Sequence, residues 1–208
     1  MADIRTGNSS SNADSTTRFE RAVHLFGLAN AADPKRILDR GEERPREVVQ
    51  AERLVTWVLR LAPQASESLQ LAAHCQHVER WKIPRSSYPE GRTGYLLWRK
   101  ELGRFHADRA TEILRSVGYE EETIERVRAI NQKRSLKLDA DVQTMEDALC
   151  LSFLEHEIDD FAEKHSDDKI VDIVSKTWRK MSDRGHEEAL RLRFGDRVSS
   201  LVKRALAP

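Results

Sequence analysis

Along most of this chain apolar residues recur at three- and four-residue steps, and that spacing predicts a succession of helices. Phe19, Val23 and Phe26 open the pattern, which weakens at Gly27 and breaks at Asp33-Pro34. Pro45 sits well at the head of a helix carrying Val48, Val49, Leu54, Val55, Val58 and Leu59, stopped by Pro63. Ser66 is placed to cap the next, with Leu69, Ala72, Ala73 and Val78, which stops before Ile83-Pro84. Residues 84–94 read as a loop, and a long helix over 95–117 closes at Gly118. Further helices are predicted over 120–133, from Asp139 to about Lys164, from Ser166 through Met181, and over 186–206 with an interruption at Gly195. No stretch alternates with period two and no repeat is visible. The pattern predicts an all-α fold, a single compact bundle of seven or eight helices over residues 18–208.

The segment 1–17 is polar and is expected to be a disordered tail, with neither an apolar export signal nor an Arg-rich amphipathic pattern. Charge changes the picture in two steps. The chain carries 35 Lys and Arg against 35 Asp and Glu, so it lacks the standing positive field of a general nucleic-acid or membrane-surface binder. Locally the balance is uneven. Residues 80–104 hold Arg80, Lys82, Arg85, Arg92, Arg99, Lys100 and Arg104 against Glu90 and Glu101, whereas 155–168 hold seven acids and Lys164. These segments are expected to pair with each other or to line opposite walls of one cleft. No run approaches the roughly 18 apolar residues of a membrane span. Two cysteines, Cys75 and Cys150, are too few for a disulfide scaffold and suggest a reducing, cytoplasmic setting.

Polar residues on apolar stripes are the candidates for chemistry. Asp147 falls in helical register with Leu151, Leu154, Ile158 and Phe161, and a buried carboxylate needs a cation, a metal or hydrogen-bond donors. His106 shares a face with Leu102, Ala110 and Ile113, and His77 a side with Ala73. Two imidazoles and a carboxylate from separate helices make a plausible set for a divalent transition metal, so His77, His106 and Asp147 are the expected ligands. Glu146 and Glu52 are the candidates for a general base or further ligand. A hydrogen-bonded network without metal is the alternative for the same residues. His74 is expected at the surface or behind a ligand, and Cys75 as a small buried apolar residue.

Several runs are specific enough to carry a resemblance. They are Gln76-His77-Val78-Glu79-Arg80-Trp81-Lys82-Ile83-Pro84-Arg85 with Tyr88-Pro89, then Gly94-Tyr95-Leu96-Leu97-Trp98-Arg99, Phe105-His106-Ala107, Glu146-Asp147, and Trp178-Arg179-Lys180-Met181-Ser182 with Gly185-His186. From about Phe19 onward the chain resembles a widespread family of helical proteins defined as a domain of unknown function, whose members are sometimes labelled glutamyl-tRNA synthetase. Lys180-Met181-Ser182-Asp183-Arg184 looks like a KMSKS loop, but no HIGH-type motif or strand, glycine turn and helix unit accompanies it, and that label is rejected. A more distant similarity is to HD-domain phosphohydrolases. There Gln76-His77 stands about where the metal-binding His-Asp doublet belongs, Glu52 about where the early His belongs, and Glu146-Asp147 resembles the closing Asp element. No true His-Asp doublet is present.

The first reading is therefore a metal-dependent hydrolase acting on a small phosphorylated metabolite or nucleotide through a metal-activated water. Arg80, Arg85, Tyr88, Arg99, Arg179, Lys180 and His186 are expected to bind the anionic substrate. The alternative is a non-catalytic helical module binding RNA or protein through the basic 80–104 segment. A third reading is a metal-free sensor whose pocket binds but does not react.

Overall fold

The computed structural model describes residues 16–207, so the tail predicted over 1–17 lies, but for its last two residues, outside the described residues. Ten α-helices occur among them: α1 (Arg18–Ala31), α2 (Arg46–Leu61), α3 (Glu67–Cys75), α4 (Gly91–Ser116), α5 (Glu121–Asn131), α6 (Ala140–His156), α7 (Ile158–Glu163), α8 (Asp167–Trp178), α9 (Asp183–Ala189) and α10 (Asp196–Leu206). The fold is mostly helical, as the periodicity predicts.

Strands β1 (Arg36–Asp39) and β2 (Glu42–Pro45) form an antiparallel hairpin that periodicity does not reveal. Its faces are largely exposed, so no apolar alternation marks it, and only the turn leaves a trace. Arg40 and Gly41 both take positive φ, 52° and 86°, as a tight two-residue hairpin turn requires. The helix expected to run from Asp139 to Lys164 is two helices, parted at Glu157, whose φ of −128° leaves the helical region. The third helix ends at Cys75 and passes into short 3-10 turns, Arg80–Lys82 and Arg85–Ser87. His77 consequently sits on a turn rather than on a helical stripe.

Capping follows local chemistry. Thr17 and Glu20 form a reciprocal capping box at α1, and Ser66 accepts from the Leu69 amide at α3. The larger hydrophobic core joins α1–α6 and α9 around Phe26, Trp57, Leu69, Leu114, Ile130 and Leu151. A smaller one, Ile158, Ala162, Ile170, Val174, Val198 and Leu201, packs α7, α8 and α10 together. Phe153 and Phe194 touch both. The acidic segment makes no ion pair with the basic one among the described residues: Asp167 and Asp168 meet Arg197 and Arg204 of α10, and Glu157 meets Arg46, yet Glu157 faces Arg80 and Arg99 across one cavity. Among the described residues no helix is long and apolar enough to cross a membrane.

Candidate functional site

Where α2, α4 and α6 face the turns after α3 and α5, the surface opens into a cavity of about 680 Å³. It is lined by Arg80, Arg99, Lys100, Arg104, Lys133 and Lys180, against the carboxylates of Glu146 and Glu157. Glu146 is almost wholly buried and takes an ion pair from Lys133 and a second from Lys180 at 3.5 Å. Lys133 reaches it because residue 133, just past α5, adopts a left-handed φ of 57° that turns the chain. By contrast, Arg80, Arg99, Lys100 and Arg104 have no ion-pair or hydrogen-bond partner for their side chains among the described residues. Arg80 is held all the same. Its guanidinium lies 5.0 Å from the ring centroid of the buried Trp98, whose indole N–H donates to the Ile83 carbonyl at 2.9 Å.

Two imidazoles complete the wall. The rings of His77 and His106 lie 6.0 Å apart, on the turn after α3 and on α4. His106 Nδ1 stands 2.8 Å from the Val78 carbonyl, which can only accept, so Nδ1 carries the proton and Nε2 is a lone-pair acceptor. That Nε2 is buried and finds no partner. Burial lowers His106 to about 4, reinforced by Arg80 and Arg99, and holds His77 well below its ordinary value. Both rings are neutral at pH 7. Gln76 Oε1 and Asn131 Oδ1, from residues of the same lining, are buried without partners too. The Asn131 amide is oriented by Cys75, whose sulfur accepts from Nδ2 at 3.2 Å. Three unanswered polar atoms, His106 Nε2, Gln76 Oε1 and Asn131 Oδ1, thus belong to residues of one cavity.

Several candidates from the sequence lie elsewhere. Asp147 accepts from the Ser182 amide at 2.8 Å, from the Ser182 hydroxyl and from Gln143 Nε2 at 2.9 Å. Its carboxylate is thus committed to the turn between α8 and α9, one residue away from the Glu146 side chain that does reach the cavity. Glu52 is exposed and paired with Arg44 beside the hairpin. Arg85 donates to the carbonyls of Tyr88 and Pro89 and shapes its own loop, while Tyr88 donates to Glu101 at 2.5 Å. Arg179 Nε donates to the Ser175 carbonyl. His186 is stacked 3.9 Å from Trp178 and bonds its carbonyl. His77, His106, Glu146, Arg80, Arg99 and Lys180 are brought together; Gln76, Asn131 and Lys133 join them without having been singled out by pattern. For Gln76 the sequence signals are adjacency to His77 and its place in the doublet-like pair; for Asn131 and Lys133 the only one is the end of α5.

The donor set available to a metal is His77, His106 and Glu146. Among the described residues no group of three or more His, Cys, Asp or Glu is arranged to hold one. Glu146 is already neutralised by two lysines, and the unpaired cations around it oppose a divalent ion. With Glu146 held by two lysines, this donor set does not fit a divalent metal.

A family model matches residues 20–202, nearly the whole described chain. The chain belongs to the family described as Domain of unknown function (DUF4202). No curated protein and no solved structure matches it. The cavity of this DUF4202 chain is therefore read from its own residues.

Proposed function

We propose that the protein binds a small phosphorylated metabolite or nucleotide in the cavity between α2, α4 and α6. The observation that carries this reading is the unpaired set Arg80, Arg99, Lys100 and Arg104 facing a cavity whose carboxylates are already taken, Glu146 by Lys133 and Lys180 and Glu157 by Arg46. Like charges gathered in this way repel one another, and an anion relieves the repulsion. Arg80, half-buried and stacked on Trp98, presents a preformed guanidinium for two-point contact with a phosphoryl oxygen pair. In this reading the bundle is HD-like: Gln76 and His77, at the place matched to the metal-binding doublet, line one cavity with Glu146, the neighbour of the matched Asp147, while Lys133 and Lys180 replace the metal's charge.

A panel of phosphorylated metabolites and nucleotides, each beside its dephosphorylated counterpart, tests this by thermal shift. Phosphorylated members should raise the melting temperature in a salt-sensitive way, and Arg80→Ala with Arg99→Ala should abolish the rise. Equal effects of phosphorylated and dephosphorylated compounds contradict the proposal.

A hydrolytic use of the same cavity is favoured by one feature, the unpartnered Nε2 of neutral His106. In this use Nε2 takes a proton from a water attacking a bound phosphoryl group, with the leaving oxygen departing on the far side. Phosphate release by the wild type and its loss in His106→Gln support that use. Binding without release marks the protein as a binding module.

A further inference from the structure

A second hollow, also of about 680 Å³, lies against the first. Gln50, Phe153 and Glu157 line both. The far hollow is walled by the hairpin on one side and by α7 on the other, and it too is basic: Lys35, Arg36, Arg46, Arg53 and Lys164 stand against Glu157 and Asp160. Arg46 is spent on Glu157 and Arg53 on Asp39. The side chains of Lys35, Arg36 and Lys164 have no ion-pair or hydrogen-bond partner among the described residues and are exposed. Leu38, 73% exposed on β1, borders the same space, as do Ile37 and Phe161.

Two adjoining basic hollows separated only by a shared wall have a simple chemical meaning. A ligand with one phosphoryl group satisfies Arg80 and Arg99 and leaves Lys35, Arg36 and Lys164 unanswered. We propose that the hollows are halves of one groove for an elongated ligand carrying two separated phosphoryl groups. One group sits among Arg80, Arg99 and Lys180, the other among Lys35, Arg36 and Lys164. The middle of the ligand crosses the shared wall of Gln50, Phe153 and Glu157, whose carboxylate is held by Arg46. This rests on the phosphate-binding reading of the first cavity. The chain carries no net charge, so it lacks the standing positive field that extended nucleic acid requires.

Calorimetric titration with pyrophosphate and with a longer linear polyphosphate tests the groove. The longer chain should bind about tenfold tighter or better, and the double variant Arg36→Ala/Lys164→Ala should erase that gain while leaving pyrophosphate affinity unchanged. Arg92→Ala, an exposed cation outside both hollows, should keep the gain and so exclude a bulk-charge effect. A longer chain that gains nothing, or gains equally in the double variant, overturns the groove and leaves the first cavity standing. Failure of pyrophosphate itself to bind overturns the reading of the first cavity, and the groove with it.

Discussion

Asp147 and Ser182 are joined twice, through the Ser182 amide at 2.8 Å and through its hydroxyl. Gln143 adds a brace, donating from Nε2 both to Asp147 and to the Lys180 carbonyl at 3.0 Å. The buried carboxylate of α6 thus fastens the turn that delivers Lys180 to Glu146. Asp147 positions the cavity's wall without lining it. Asp147→Ala should cost about 2–3 kcal/mol in urea unfolding, because buried donors lose their acceptor. In the folded variant pyrophosphate affinity should fall as it does in Lys180→Ala. Unchanged affinity would show that the turn holds Lys180 without Asp147.

Gly94 stands where no side chain fits. A Cβ there would lie 1.9 Å from the Pro89 carbonyl oxygen, so Gly94→Ala must displace backbone at the start of α4. A loss of about 3 kcal/mol is expected. Gly27, in α1, has nothing within 4 Å of its added Cβ, and Gly27→Ala should stabilise by about 0.8 kcal/mol. Chemical denaturation of the two variants gives opposite signs if the packing is as described.

Glu47 makes stability fall between mildly acid and neutral pH. Burial raises its carboxyl to about 7, overcoming Arg46 and Arg80, and its Oε2 has no partner. Between its ordinary value near 4.5 and about 7 the folded chain holds a proton that the unfolded chain has released. Stability therefore falls as pH rises through that window, by at most about 3 kcal/mol. Unfolding of Glu47→Gln from pH 5 to 8 should show a flatter profile; a parallel one contradicts the assignment.

His106 acts on the acid side. Its pKa is depressed to about 4, so the unfolded chain gains a proton near pH 6.5 while the folded chain does not. Its contribution is complete above pH 6.5 and is lost as pH falls toward 4. In proton NMR its ring should stay neutral down to about pH 5, and a bound phosphoryl group should shift its titration upward. An imidazole titrating near 6.5 in the free protein would contradict the burial of this ring.

The helices were legible because Ile124, Val127 and Ile130, or Ile170 and Val174, bury one face of an amphipathic period. The hairpin was not, since a two-stranded exposed ribbon has no buried face to pattern. At the site, His106 and Asp147 were visible as polar residues on apolar helical faces, and Glu146 only as a candidate base beside Asp147. Helical register cannot tell which of two adjacent acids meets a cavity and which meets a turn. Lys133 was hidden altogether: it arrives through a left-handed backbone residue after α5, which no periodicity encodes.

The central claim is that cations of the chain, and not a metal, hold a phosphorylated ligand in the first cavity. Calorimetric titration of pyrophosphate in the presence of a metal chelator tests it most directly. The account predicts saturable binding that survives the chelator and is lost in Arg80→Ala/Arg99→Ala. Binding that appears only when a divalent metal is restored, or persists in that double variant, would contradict it.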